Sequence, residues 1–330
     1  MRFSILSLAT AVAASPMANY ISSLESRAAV DTNLMNNFKF YAQHAAAGYC
    51  NAEGPSPGDK VHCGGECDDV MRNGATIIDT FQGSKTGIAG YVSVDDKRRE
   101  IVFSTRGSHN IRNFITDILF LKRDCDFTSG CKMHSGFSDS WNEIADAATS
   151  AIKEGLQANP TYKLVITGHS LGGAVASLGG AYLRRAGFKS DIYTFGAPRV
   201  GNDVFANFAN SQAGGFFRMT HIDDPVPRLP PMIFSYRHSG PEYWLSNGGP
   251  MQDKYQPSDV KVCQGIAPVA CNAGTLGFDI LAHLHYLTDT SDCAPIAIKW
   301  KRDDPSDDEL KKRLTDWSQQ DQAMVNGGHA

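Results

Sequence analysis

The segment that most narrows the fold is Lys163-Leu164-Val165-Ile166-Thr167, a short apolar run that passes through Gly168-His169-Ser170-Leu171-Gly172 into Leu171–Ala186, which is rich in glycine and alanine. An apolar run of this length reads as a buried strand, and the following stretch reads as a helix. A strand that turns directly into a helix over one serine strains its backbone and crowds its neighbours. The positions on either side of the serine must therefore carry no bulk. Gly168, Gly172 and Gly173 meet that need. The arrangement lifts the Ser170 hydroxyl above the carboxyl edge of a sheet, at a helix N-terminus whose dipole favours developing negative charge. The plainer alternative is an ordinary glycine-rich turn that caps a helix.

The rest of the chain extends this unit into a layered fold. Helical spacing covers 33–48, 134–152 and 171–186, and strand patterns cover 88–94, 101–104, 191–195 and 216–220. Strands that alternate with helices predict an α/β fold with a mostly parallel, buried central sheet. No repeat or linker interrupts residues 30–300, so one domain is expected, taken as residues 28–298. Ahead of it, Arg2, the apolar stretch 3–13 and the small residues Ala11-Val12-Ala13 read as a signal peptide over 1–13. Residues 14–27 read as a short propeptide. No apolar run approaches the ~20 residues that span a membrane, so a soluble, secreted, extracellular protein is expected.

A net charge of -4 argues against a nucleic-acid partner, which would select a basic face, and gives little attraction to anionic membranes. Contact with lipid would have to be made through apolar surface. Eight cysteines behind a signal peptide suggest four disulfides. Three pairs are close in sequence, Cys63–Cys67, Cys125–Cys131 and Cys263–Cys271, and elimination leaves Cys50–Cys293. A zinc site at Cys63 and Cys67 lacks a second ligand pair at finger spacing. Neither a metal nor an organic cofactor is expected.

A nucleophilic serine needs a base, and the base needs an orienting acid. In the strand–turn–helix arrangement both follow the serine, acid before base. Among the downstream acids, Asp223 and Asp224 stand out because they follow a predicted strand and precede the stiff Pro225-Val226-Pro227. Either could instead be a turn or capping residue. For the base, His221, His238, His283, His285 and His329 are available. The segment 277–286 is the best late candidate, but position does not separate His283 from His285.

With these residues in view the chain resembles the secreted filamentous-fungal class 3 lipases of the Thermomyces and Rhizomucor type, and more closely the Fusarium-type secreted lipases. The resemblance covers roughly residues 33–298. It rests on Ser104-Thr105-Arg106-Gly107-Ser108, on 167–174 around Ser170, and on Tyr193-Thr194-Phe195-Gly196-Ala197-Pro198-Arg199. Asp224-Pro225-Val226-Pro227-Arg228, Ser239-Gly240-Pro241-Glu242-Tyr243-Trp244 and Ala282-His283-Leu284-His285-Tyr286 continue it in the family's order. The resemblance implies the α/β-hydrolase fold with a helical lid, and Ser170, Asp224 and His283 as catalytic triad. It also implies oxyanion donors from Ser108 and the backbone N–H of Leu171, and the four disulfides named above. Asp223 is a departure, since relatives often carry asparagine there.

The segment 110–121 follows the oxyanion residue and places Ile111, Phe114, Ile115, Ile118 and Leu119 on one helical face. By pattern alone this could be a core helix; the resemblance makes it the lid. An apolar lid that swings away exposes a greasy patch suited to an oil–water interface. The expected activity is therefore that of a triacylglycerol lipase acting as a monomer on lipid esters. A feruloyl-type carboxylesterase of the same fold and a non-catalytic lipid-binding protein are the alternatives. Beyond residue 298, Ser306-Asp307-Asp308-Glu309 has the form of a capping box, and Leu310, Leu314, Trp317 and Met324 follow near helical spacing. This tail, 299–330, is either packed helix, solvated chain, or a propeptide that covers the lid and is released at Lys301-Arg302.

Overall fold

The computed structural model describes residues 30–65, 67–290, 293 and 306–328. The signal peptide, the 14–27 segment, Lys301-Arg302 and His329 lie outside the described residues. The chain begins with helix α1 (Thr32–Asn51), whose N-cap Asp31 accepts from the backbone N–H of Leu34, followed by α2 (Asp68–Asn73). Strands β1 (Thr76–Gln82), β2 (Ala89–Asp95) and β3 (Glu100–Thr105) precede the short helix α3 (Ile111–Asp117) and the hairpin β4 (Lys122–Asp124) and β5 (Lys132–His134). Then come α4 (Ser135–Ala158), β6 (Lys163–His169), α5 (Leu171–Arg185), β7 (Ser190–Phe195), α6 (Asp203–Ser211) and β8 (Phe216–His221). Strands β9 (Glu242–Leu245) and β10 (Val260–Cys263), α7 (Ile280–Leu284) and α8 (Asp307–Asn326) complete the order.

The large sheet runs β1-β2-β3-β6-β7-β8-β9-β10. Its centre, β3-β6-β7-β8-β9, is parallel, and antiparallel pairs close both ends. This is the mostly parallel α/β-hydrolase sheet. Successive side chains of a strand face opposite sides, and both faces here are covered by helices. Leu164, Ile166 and Ile192 point to one core with Trp141 and Ile144 of α4 and Val175 and Leu178 of α5. Val165, Tyr193 and Phe195 point to the other, against Phe38, Tyr41 and Ala45 of α1. That two-sided burial is why the central strands read as continuous apolar runs. Disulfides join Cys50 to Cys293, Cys63 to Cys67, Cys125 to Cys131 and Cys263 to Cys271. Among the described residues no helix is long and apolar enough to cross a membrane.

Two elements differ from the expectation. The helix after Ser108 ends at Asp117 instead of running to Leu121, because Ile118 is extended at φ -61°, ψ 114° and the chain turns into β4. Leu119 consequently leaves the apolar face and is 67% exposed. In α8 the inward stripe is Leu310, Leu314, Ser318 and Asp321, all buried, whereas Met324 is only half-buried.

Candidate active site

The β6–α5 junction is the centre of the site. Ser170 adopts φ 57°, ψ -129°, a left-handed conformation that costs an L-residue free energy unless the surroundings enforce it. The surroundings do so. A Cβ on Gly168 would lie 2.5 Å from the Gly172 carbonyl oxygen, and one on Gly172 would lie 2.2 Å from that of Thr105. The Thr105 hydroxyl donates to the Gly172 carbonyl at 2.7 Å, and the Ser170 N–H donates to Phe195 at 2.9 Å. Strands β3 and β7 thus hold the turn from both sides. Leu171 opens α5, where backbone N–H groups have no intrahelical acceptor.

Asp224 follows β8 through the turn His221–Asp224, and His283 sits on the short helix α7. His283 Nδ1 donates to Asp224 Oδ2 at 2.8 Å with both residues fully buried. The other carboxylate oxygen, Oδ1, accepts from the Val226 N–H at 2.8 Å, and the Tyr286 hydroxyl donates to Oδ2. Burial, and after it the Asp224 charge, drives the Tyr286 hydroxyl well above its usual range, so it remains a donor. The His283 ring lies 4.6 Å, centroid to centroid, from that of His169, the neighbour of Ser170. Ser170 Oγ and His283 Nε2 are both buried and find no hydrogen-bond partner among the described residues.

The two ambiguities left by position fall apart in space. Asp223 is partly exposed beside Gly277, and its carbonyl accepts from Asp279 at 3.3 Å. His285 pairs with Asp253 at 3.1 Å, away from Asp224. His221 donates from Nδ1 to the Ala282 carbonyl at 3.0 Å, and His238 Nε2 lies 2.7 Å from the Pro227 carbonyl. Sequence reasoning passed over a supporting line: Tyr49, 2.9 Å from His169 Nδ1, and His169, whose Nε2 donates to the His283 carbonyl at 2.7 Å. Burial and the adjacent His283 hold His169 neutral, with its pKa well below the ordinary imidazole value. The carbonyl acceptor then fixes the His169 proton on Nε2, and the Tyr49 hydroxyl donates to Nδ1. No local pattern marks Tyr49 for this role; its partner is 120 residues away.

Ser108 follows β3. Its hydroxyl donates to the Asn110 carbonyl at 3.1 Å and accepts from the Asn110 N–H at 3.2 Å, so it is engaged by the residue that caps α3. In helix α3, Ile111 and Ile115 are buried against Val226 and Leu229 of the loop after Asp224. Phe114 and Ile118 are partly buried between this cluster and the main core. A cavity of about 440 Å³ opens beside Leu171, walled by Phe114, Ile118, Leu121, His134 and Phe137.

A strained serine between strand and helix, with a buried histidine–aspartate pair in the order Ser, Asp, His, defines a serine hydrolase of the α/β-hydrolase fold. Comparison with known proteins refines this. A family model described as "Lipase (class 3)" matches residues 102–234. The "Secreted mono- and diacylglycerol lipase 1" of Fusarium solani is 53% identical over 98% of this chain and 97% of its own. The Rhizomucor miehei lipase is 33% identical over 76% of this chain and 68% of its own. The crystal structure of a mono- and diacylglycerol lipase from Aspergillus oryzae aligns with a TM-score of 0.75 at 36% identity, covering 80% of this chain and all of the other. The chain belongs to the class 3 lipases and is a carboxylic ester hydrolase of the serine type.

Proposed function

We propose that this chain is a secreted, monomeric lipase that hydrolyses acylglycerols at oil–water interfaces through an acyl-enzyme on Ser170. The observation that supports the reading is the buried Asp224–His283 pair, whose imidazole lies 4.6 Å from that of His169, the neighbour of Ser170, with Ser170 Oγ and His283 Nε2 both unpartnered among the described residues. In the proposed reaction Ser170 Oγ attacks the ester carbonyl and its proton passes to His283 Nε2. Asp224 holds the imidazole by Nδ1 and stabilises the imidazolium. The tetrahedral oxygen receives hydrogen bonds from the Leu171 N–H and from Ser108. His283 then returns the proton to the departing glycerol oxygen, and water releases the fatty acid by the same steps in reverse roles. Ser108 is freed for this role when α3 moves, because the Asn110 groups that engage it belong to the lid's own cap. The cavity between Phe114, Ile118 and Phe137 accepts the acyl chain.

Triacylglycerols fit an apolar lid and pocket. A preference for partial glycerides is the second reading, favoured by the name of the Fusarium solani relative. Hydrolysis of a panel running from tributyrin to triolein, with mono- and diolein and a methyl ferulate control, tests both. Fast turnover of olein emulsions and none of methyl ferulate is expected. Turnover of methyl ferulate alone would place the chain among phenolic esterases instead.

A further inference from the structure

The tail helix α8 lies directly on the lid. Its start is fixed by the reciprocal pair in which Ser306 Oγ accepts from the Glu309 N–H at 3.2 Å and Glu309 Oε2 accepts from the Ser306 N–H at 2.8 Å. Leu310 and Leu314, fully and almost fully buried, complete a cluster whose other members are Ile111 and Ile115 of the lid and Val226 and Leu229 from the loop after Asp224. One turn further, the Trp317 ring meets Phe120 edge-on at 5.2 Å. The lid's apolar face is therefore buried partly against a segment outside the catalytic domain.

The far end of the helix is held by a polar socket. The Asp321 carboxylate is 2% exposed; it accepts from Arg199 Nη1 at 3.1 Å and from the backbone N–H groups of Met232 and Ile233 at 2.8 and 2.9 Å. Arg228 Nη1 donates to Ser318 Oγ at 3.2 Å and to the Thr275 carbonyl at 2.8 Å. The helix thus straps together the lid, the loop after Asp224 and the loop before His283. Arg199 Nη1 also donates to the carbonyls of Arg228 and Pro230 at 2.7 and 2.9 Å, so a buried cation retains acceptors when the helix leaves.

We propose that α8 is a built-in latch that holds the lid shut, so that the chain carries low activity toward lipid until the helix undocks. The proposal rests on the reading of the site beneath α3 as the lipase centre. Lid opening separates Ile111 and Ile115 from Leu310 and Leu314, which makes lid and tail alternatives for one apolar surface. The dibasic Lys301-Arg302, outside the described residues, supplies a point at which proteolysis would free the helix.

The test uses the full chain and two kinds of variant, Leu310→Glu with Leu314→Glu and, separately, Asp321→Ala, each checked for folding by thermal unfolding. Hydrogen exchange of the amides of 111–118, measured in a Ser170→Ala background, reports the lid without any reference to activity. Exchange should quicken by about tenfold in both variants, and hydrolysis of a triolein emulsion by the Ser170 forms should rise by a similar factor. A chain ending at Arg302 should behave like the variants, and a synthetic peptide 306–328 should restore slow exchange and low activity. The same peptide with Asp321→Ala should not. Unchanged exchange and emulsion activity in a folded Asp321→Ala or leucine variant would overturn the latch. Faster exchange with no ester hydrolysis by any form would uphold the latch and defeat the functional reading.

Discussion

The Tyr286 hydroxyl donates to the same Asp224 oxygen, Oδ2, that receives His283 Nδ1. A carboxylate oxygen shared by two donors carries less charge toward each of them. Removing the phenol should therefore leave Asp224 a stronger partner for the imidazolium. We expect Tyr286→Phe to lower kcat by about tenfold through looser orientation. On a soluble ester the loss should fall in kcat with KM little changed. A wild-type kcat would show that the phenol only fills space.

Members of a triad act as a unit. Ser170→Ala, Asp224→Ala and His283→Ala should each cut ester hydrolysis by about 10³-fold or more, with the double variants little worse than the worst single one. His285→Ala, which loses the Asp253 contact, should keep most of the activity. Ser108→Ala should lose about 10²–10³ in kcat with KM little changed. These rates, on a soluble short-chain ester, separate the roles; strong loss in His285→Ala with near-normal rates in His283→Ala would reverse the assignment.

For the lid, Phe114→Ser with Ile115→Ser should reduce emulsion hydrolysis about tenfold while hydrolysis of a soluble ester falls less than about twofold, since interfacial docking needs apolar area and the chemistry does not. Equal losses on the two substrates would make α3 an ordinary packing element.

Acid should unfold this protein through its buried imidazoles. Burial pushes His44 down to about 3 and His134 down to about 4. Both are neutral in the fold but take up protons in the unfolded chain below about pH 6.5. The unfolded state then binds more protons, so stability present above pH 6.5 is lost as pH falls toward those values. The loss is up to about 1.4 kcal/mol per pH unit for each histidine. Urea midpoints at pH 7.5, 6 and 5 measure it, and a midpoint constant over that range would contradict the burial argument.

Local chemistry was legible in the chain, and distant pairing was not. The β6–elbow–α5 unit could be read because its demands, an apolar run, small flanking residues and a small-residue helix, fall within 24 consecutive positions. The capping box at Ser306 was readable for the same reason. Asp224 and His283 were narrowed to two neighbours each, since a loop position says nothing about direction; the family resemblance named one of each pair. Strand β9 was missed because four residues interrupted by a tryptophan at the edge of burial make no clear alternation. The buried charges Arg199, Arg218 and Glu242 were also missed. Charged residues read as surface until partners far along the chain, such as Asp321 for Arg199, are brought beside them.

The Cys50–Cys293 bond gives the tail helix a different kind of strength. It pins residue 293 to the end of α1, so 12 residues of sequence, 294–305, separate that anchor from the helix that begins at Ser306. A segment on so short a leash is presented to its socket at an effective concentration on the order of millimolar. Contacts too weak to hold a free peptide at cellular dilution can therefore keep the helix docked almost all the time. One cut between residues 294 and 305 abolishes that advantage while the contacts of α8 stay the same. The occupancy of the socket would then depend on how dilute the protein becomes, so that dilution would itself complete the release.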